Sequence, residues 1–517
     1  MRNPHPSTFT HLFLKTIKHY SSFIIHHSLF IIHCSLFILL ALALISCNST
    51  TKPPTASLTG RVVLVNDTDN PALDPADFSG ISVALYPLAV LDTTIVRLNQ
   101  EYPQIGVIIN QETEFNHRLL NPVKVITTAA DGNFSFSGIT PGSYNLAILK
   151  TGWGYIYVPN LNLAEGGNTL PVGRSDVSLY PERQLPAAIE TDYSFLSGRT
   201  YRVADDSVIM GNVTIHTGTS ILIESGNRLD LYGNVSSRGS SGYWKVSTAE
   251  EIYTTTKADS LPKFDSFGIK SLQGLPQISR MICEYANNGV ATNNQPISFS
   301  NSIIRNANAS ALNLTSESAE IQRMLVYNNP HKGITSYVKA HIEKSLFVNN
   351  HESCMLHQAK ATVEDSYFYG SYLGIRSFLN PQEIRHNSFD KNDVAIAPSA
   401  SSPAIEYNDF YDNQRDIELN RGGVATDPGY CNPYIQRNNF YGNKFYIHLK
   451  GVNSVYADGY IAYLGVNSNQ HYPNNYWKSS NLVDHIFDSN YPGSGVAYTV
   501  NYTPRSAVPV QGTGIRG

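Results

Sequence analysis

Between Ile278 and Leu449 the apolar positions recur with a strict short period. Ile384-Arg-His-Asn387-Ser-Phe389-Asp-Lys-Asn392 is followed by Ile405-Glu-Tyr-Asn408-Asp-Phe410-Tyr-Asp-Asn413, and later by Ile435-Gln-Arg-Asn438-Asn-Phe440-Tyr-Gly-Asn443. The lead apolar residue falls at 278, 299, 321, 342, 363, 384, 405 and 435, giving steps of 21, 22, 21, 21, 21, 21 and 30. Only the last step holds an insertion, between Asn420 and Pro433. Five residues after the lead comes a second anchor, which is Phe from 347 onward. Twelve after it comes a third, with a one-residue slip to Ile334 in the repeat that starts at Ile321. Asn329, Asn350, Asn392, Asn413 and Asn443 stand eight after their leads.

The anchors are β-branched or aromatic and are separated by Asn, Asp, Gly and Ser, which is strand-and-turn chemistry and not a helical period. Three anchors in about 21 residues predict three short strands per repeat, and self-similarity at this period marks a solenoid. Stacked coils would lie about 4.8 Å apart, with the recurring Asn forming an amide ladder between them. The pattern resembles the right-handed parallel β-helix, or pectate-lyase-like, superfamily over roughly Phe195 to Pro509. The resemblance implies fold alone, because the same solenoid carries lyases, hydrolases, esterases, adhesins and scaffolds.

Ahead of the repeats, residues 56–180 read as a smaller all-β unit. Leu58-Thr-Gly-Arg-Val-Val-Leu-Val65 and Gly80-Ile-Ser-Val-Ala-Leu-Tyr86 alternate, and Asp131-Gly132 and Pro141-Gly142 supply turns. T-G-R-V, D-G-N-F-S-F and P-G-S-Y-N-L together resemble the carboxypeptidase-regulatory-like family, a prealbumin-like β-sandwich that serves as a non-catalytic spacer or binding unit. Residues 87–125 exceed what that family needs. The fold class expected is therefore all-β: a right-handed parallel β-helix with its caps over residues 195–510, preceded by a small β-sandwich. The segment from Gly233 to Pro276 is irregular and predicts a partly ordered excursion.

The first 47 residues read as a targeting segment. Arg2, Lys15 and Lys18 precede an apolar stretch that ends Leu44-Ile45-Ser46-Cys47. This looks like a bacterial lipobox, which implies lipidation at Cys47, and residues 48–55 then form a linker. Asn48 in place of the Asp that retains such proteins at the inner membrane points to the outer membrane or cell surface. The chain has 517 residues, of which 15% are charged, with a net charge of −4 and 32 Tyr. That balance argues against a nucleic-acid partner, which requires basic patches. A monomer is expected. The five Cys fall at 34, 47, 283, 354 and 431 with no metal-ligand spacing. Cys283 and Cys354 occupy anchor positions and are expected as buried thiols.

Two columns attract attention as binding surfaces. One residue after the second anchor stand Glu284, Arg305, Tyr327, Val348, Tyr369, Asp390, Tyr411 and Tyr441. Tyr327, Tyr369 and Tyr411 would be spaced at about 9.6 Å, two coils apart, close to a disaccharide; covering a sheet face is the competing role for these rings. Two residues after the lead stand Arg280, Asn301, Arg323, Lys344, Asp365, His386, Tyr407 and Arg437, five of them Arg, Lys or His. Arg323 and Lys344 could line a groove for an acidic polysaccharide, or form a solvated face balanced by Glu343, Glu364 and Glu406. The G-H-G and R-I-K motifs of polygalacturonase-like chains, the W-x-D-H of pectate lyases and the Q-D-T of pectin esterases are absent. The leading expectation is a lipid-anchored, non-catalytic binder of glycan or another surface ligand, with no cofactor. The alternative is a polysaccharide lyase or glycoside hydrolase with a divergent site. Such a lyase could use Ca²⁺ near Lys344, Asp365, Glu343 and Glu364.

Overall fold

The computed structural model describes residues 53–66, 77–170, 176–239, 241–293, 295–357, 360–379, 381–419, 431, 433–442, 444–449, 470–487 and 500–516. The stretch read as a lipobox, with Cys47, the insertion at 420–430 and Asn443 lie outside these residues.

Among the described residues the repeats form a parallel solenoid of three sheets, with 11, 13 and 13 strands in register from coil to coil. The lead sheet carries Ile278, Phe299, Ile321, Ile342, Val363, Ile384, Ile405 and Ile435. The aromatic sheet carries Phe347, Phe368, Phe389, Phe410 and Phe440, and the closing sheet carries Leu312, Ile334, Cys354, Ile375, Ile396, Ile417 and Ile447. Its register pairs Val290 with Leu312, so the one-residue slip begins in the repeat starting at Phe299, one coil earlier than the spacing suggested. All these anchors are buried in one continuous core, Cys283 and Cys354 among them. Inside it Phe347, Phe368, Phe389, Phe410, Phe440 and Trp477 stack, with centroids 4.3–5.2 Å apart and planes within 12° of parallel. Each such pair contributes about 0.5–1.5 kcal/mol beyond area burial.

One residue turns the chain from the lead sheet into the aromatic sheet. Arg280, Asn301, Arg323, Lys344, Asp365, His386, Tyr407 and Arg437 all occupy it, with φ between 47° and 56°. The column proposed as a basic groove is therefore a left-handed corner, and its side chains fan from a bend instead of standing on a strand. Left-handed backbone costs about 1–2 kcal/mol for a residue with a Cβ, so the corner needs compensation. The next residue supplies it. The Asn387 amide N–H donates to Asn408 Oδ1 at 3.0 Å, and Asn387 Nδ2 donates to Asn408 Oδ1 at 3.1 Å and to the Val363 carbonyl at 2.9 Å. Asn408 repeats this on Asn438, and Asn438 on Asn475. Toward the N-terminus the acceptors become hydroxyls: Ser345 N–H donates to Ser366 Oγ, and Met324 N–H to Ser345 Oγ. A second ladder, at the expected position, joins Asn329 to Asn350 and Asn392 to Asn413, and Ser371 N–H donates to Asn392 Oδ1.

Asn475 and Trp477 continue both the amide ladder and the aromatic stack, and Tyr476–Trp477 pairs with Asn439–Phe440. What reads as a terminal cap is one more coil. The segment 233–276 is likewise a coil: Val235–Arg238, Trp244–Thr248 and Ser266–Ile269 each join a sheet, and the departure is confined to the stretch between the last two. The solenoid opens at Arg183–Gln184, before Phe195.

The N-terminal unit has two four-stranded sheets over a shared core. Leu58, Val62, Phe134 and Phe136 meet Val83, Leu85, Leu146 and Ile148. Of residues 87–125, left unplaced by the sequence, Pro87, Lys124 and Val125 belong to a sheet of this unit, and the stretch between them leaves it to lie against the solenoid. Asp92 caps the helix Thr93–Glu101 by accepting from Thr94 and Ile95 N–H. Ile95, Leu98, Ile105, Val107 and Ile109 cover Ile282, Ile303, Leu325, Leu346 and Tyr367 on the outer face of the aromatic sheet. At Gly106, φ is 64° and its N–H donates to the Lys344 carbonyl at 2.8 Å; a Cβ there would stand 2.6 Å from that of Leu346. Below this seam lies a buried ionic cluster. Arg305 reaches Glu284 at 2.8 Å and Glu114 at 2.7 Å, Lys245 reaches Glu284 at 3.6 Å, and Arg118 donates to the Thr248 and Glu250 carbonyls. Burial pushes the Glu284 carboxyl up, but Lys245, Arg305 and Arg118 outweigh it and hold it at about 2.

Asn387→Ala strips the Ser366 N–H and the Val363 carbonyl of their buried partners. It is expected to lower stability by about 3 kcal/mol, read as a shift in urea unfolding against the parent chain. A shift below about 0.5 kcal/mol, the ordinary surface range, would show that the ladder adds nothing.

Candidate functional site

The outer face of the aromatic sheet changes character along the axis. From Ile282 to Tyr367 it is largely apolar and lies beneath the inserted segment. Beyond the segment the same positions become Ser388, Asp390, Asp409, Tyr411, Asn439 and Tyr441. This second half is a polar platform of tyrosines and carboxylates, bounded on one side by Tyr102 and Arg97.

Tyr411 and Tyr441, on successive coils, stack with centroids 5.3 Å apart and planes 9° from parallel, and Tyr476, in register with Asn439 in the neighbouring column, meets Tyr441 at 5.8 Å with its ring tilted by 55°. The stack turns ring faces along the axis toward one another, so edges and hydroxyls are what the outer surface offers. Tyr411 donates to Asp409 Oδ2 at 3.2 Å, Asn439 Nδ2 donates to Asp409 Oδ1 at 3.0 Å, and Tyr367 donates to Asp390 Oδ2 at 3.4 Å. Tyr102 covers Tyr367 at 5.2 Å. Asp409 is 8% exposed, and a strap formed by residues 510–516 closes over it: Asn439 Nδ2 also donates to Thr513 Oγ1, and Gly514 N–H donates to the Tyr407 carbonyl. Burial raises the carboxyls of both Asp390 and Asp409 above the ordinary aspartate range, and for Asp390 the nearby Asp412 adds to the effect.

The residues singled out in the sequence divide between these halves. Tyr411 and Tyr441 belong to the platform and are partly exposed. Tyr369 lies at its margin, with the Arg97 guanidinium 5.8 Å from its ring centroid and the Lys391 ammonium at 5.5 Å. Tyr327 is 4% exposed, receives an N–H from Arg305 and donates to Glu114 at 2.6 Å; it is part of the seam and not of an outer surface. Arg323 sits at its corner with Nη2 donating to the Pro103 carbonyl at 3.4 Å, and Lys344 is the corner whose carbonyl receives Gly106. The even spacing of Tyr327, Tyr369 and Tyr411 is real along the axis, but a segment remote in sequence covers the first of them.

Glu343 and Glu364, grouped in the sequence with Lys344 and Asp365, are joined by His341, which sequence reading missed. On the outer face of the lead sheet His341 stands one residue before its lead and Glu343 one after, and Glu364 pairs with Glu343 across the coils. His341 Nδ1 lies 3.0 Å from Glu320 and Nε2 2.9 Å from Glu364. The signal was present in the period, since His341 is 21 residues from Glu320, but it shows only when the positions flanking the lead are read as columns. Arg516 Nη2 reaches Glu364 at 2.8 Å and Asp365 at 2.6 Å, which ends the strap on the same coil.

The raised platform carboxyls give a pH signature. For a carboxyl whose folded pKa exceeds its unfolded one, the folded state binds more protons between the two values, so stability rises as pH falls through the folded value toward the unfolded one. Between pH 7 and pH 4 the parent chain is expected to gain stability relative to Asp390→Asn, measured as the difference in urea midpoints at each pH; a constant difference would refute the raised carboxyl.

The family model described as "Right handed beta helix region" matches residues 288–463, which include Asp390, Asp409, Tyr411 and Tyr441. No curated protein and no solved structure matches the chain.

Proposed function

We propose that the protein binds a surface glycan on the tyrosine–carboxylate platform without transforming it, held at a bacterial envelope by a lipid on Cys47. The observation that carries this reading is the stacked pair Tyr411–Tyr441, with Tyr476 tilted beside it, next to Asp390. It repeats donors and acceptors at the coil spacing of about 4.8 Å, which suits a polymer of hydroxylated units lying along the axis. Tyrosines also present amphipathic area at low entropic cost, since each has only two side-chain torsions. The two-sheet N-terminal unit then acts as spacer, in keeping with its likeness to carboxypeptidase-regulatory-like modules. Among the described residues no helix is long and apolar enough to cross a membrane, and attachment is assigned to the lipobox.

One observation favours hydrolysis as a second reading. Asp390 and Asp409 lie on neighbouring strands offset by two residues, which supplies the two carboxylates that such hydrolysis requires. Against it, Asp409 is occupied by Tyr411, Asn439 and the strap, and little of it reaches the surface.

Incubation with acidic and neutral polysaccharides, with and without Ca²⁺, separates the two. Retention without new reducing or unsaturated ends supports the binder, and new chain ends support the enzyme. Tyr411→Ala combined with Tyr441→Ala is expected to weaken retention at least tenfold, whereas Tyr337→Ala, on another corner, leaves it unchanged; equal loss in both rejects the platform. Cys47→Ser is expected to move the protein from the membrane to the soluble fraction of the expressing bacterium, and an unchanged membrane pool would reject lipid attachment.

A further inference from the structure

We propose that His341, Glu343 and Glu364 form a site for a divalent transition metal of the zinc class on the outer face of the lead sheet. One ligand atom from each of the three lies within 4.8 Å of the others. The arrangement follows from strand geometry. His341 and Glu343 are two apart on one strand and share a face, and Glu364 stands directly opposite Glu343 on the next coil. Two carboxylates directly opposed across a parallel ladder repel, and a cation between them removes the repulsion.

The histidine is already oriented as a ligand. Glu320, its partner on the preceding coil, accepts from Nδ1 at 3.0 Å, and that leaves Nε2 directed at Glu364 Oε1 at 2.9 Å. A carboxylate behind a ligating imidazole fixes its tautomer and raises its basicity. Glu364 is oriented as well: its Oε2 is held by Arg385 at 3.1 Å and Arg516 at 2.8 Å, so Oε1 is the oxygen that faces His341. Lys360 is paired with Glu383, and against the carboxylates of Glu320, Glu343, Glu364 and Asp365 stand these two guanidiniums and Lys339, which still leaves one net negative charge for a dication. Gln322 Nε2 donates to Glu343 Oε1 at 2.6 Å and leaves its other oxygen for the metal. One imidazole with two carboxylates suits zinc and its neighbours better than Ca²⁺ or Mg²⁺, which select all-oxygen sets. With three protein ligands on a partly exposed face, a fourth position is open to water. Beside it lies a shallow groove of about 270 Å³ lined by Ser318, Glu320, Lys339, Lys360, Thr362 and Glu383.

Cobalt(II) and zinc(II) titrations of the full chain, followed by visible cobalt absorption and by calorimetry, test the assignment. The parent chain is expected to bind one more equivalent than His341→Ala, and Glu343→Gln to weaken that equivalent about 10- to 100-fold. Glu406→Gln, two coils beyond Glu364 in the same column, should leave it intact. Equal stoichiometry and affinity in parent and His341→Ala would overturn the site and leave His341 as a bridge between two carboxylates. Should His341→Ala fail to fold, Glu343→Gln, isosteric and on an outward face, carries the same comparison; unchanged affinity there overturns the site.

Discussion

Each coil must turn by a large angle at a single residue, and the rest of the solenoid depends on how that turn is made tolerable. A left-handed corner points the following backbone N–H along the axis, into the protein and away from water. There it needs an acceptor. The side chain of the next coil provides it, and the same amide then satisfies a carbonyl of the coil before. The corner fixes where the Asn or Ser must stand, and the Asn or Ser makes the corner affordable. That reciprocity explains why Arg, Lys, Asp, His and Tyr, none of them glycine, can all occupy the bend. The corner side chain is nearly irrelevant; the residue behind it is not.

The period, the three sheets, the inward anchors and one amide ladder were legible because they repeat, and repetition converts a weak local signal into a register. Asn387, Asn408 and Asn438 stood in the same motif, yet their ladder was not read from it, because a bend after only three strand residues has no hydrophobic signature. The corner under the basic column went unread for the same reason: spacing places Arg323 and Lys344 one above another but says nothing of their dihedral angles. Trp477 and Asn475 were taken as a cap because the sequence between Leu449 and Asn474 lacks the period and breaks the count, although both residues obey the pattern of Asn438 and Phe440.

What spacing within the repeats could not disclose is the segment from 87 to 125. It has no period and comes from another unit, but it decides which half of the aromatic sheet meets solvent. The apolar outer positions Ile282, Ile303, Leu325 and Leu346 were the clue to it, since an outward face that alternates hydrophobic on both sides expects a cover. Where that apolar run ends, at Tyr367, the cover ends too, and the polar platform begins.

The same segment alters how the solenoid can come apart. In a stack of identical coils each element feels only its neighbours, so stability is close to a one-dimensional sum and the ends are free to fray. A helix and strand-like run laid across the coils from Ile282 to Tyr367, pinned by the ion cluster around Glu284, acts as a splint. It ties the fate of coils that share no direct contact. Unwinding that starts from the opening coil would have to break the splinted group together, which gives the middle of the rod a cooperative unfolding unit where the nearest-neighbour picture predicts a zipper.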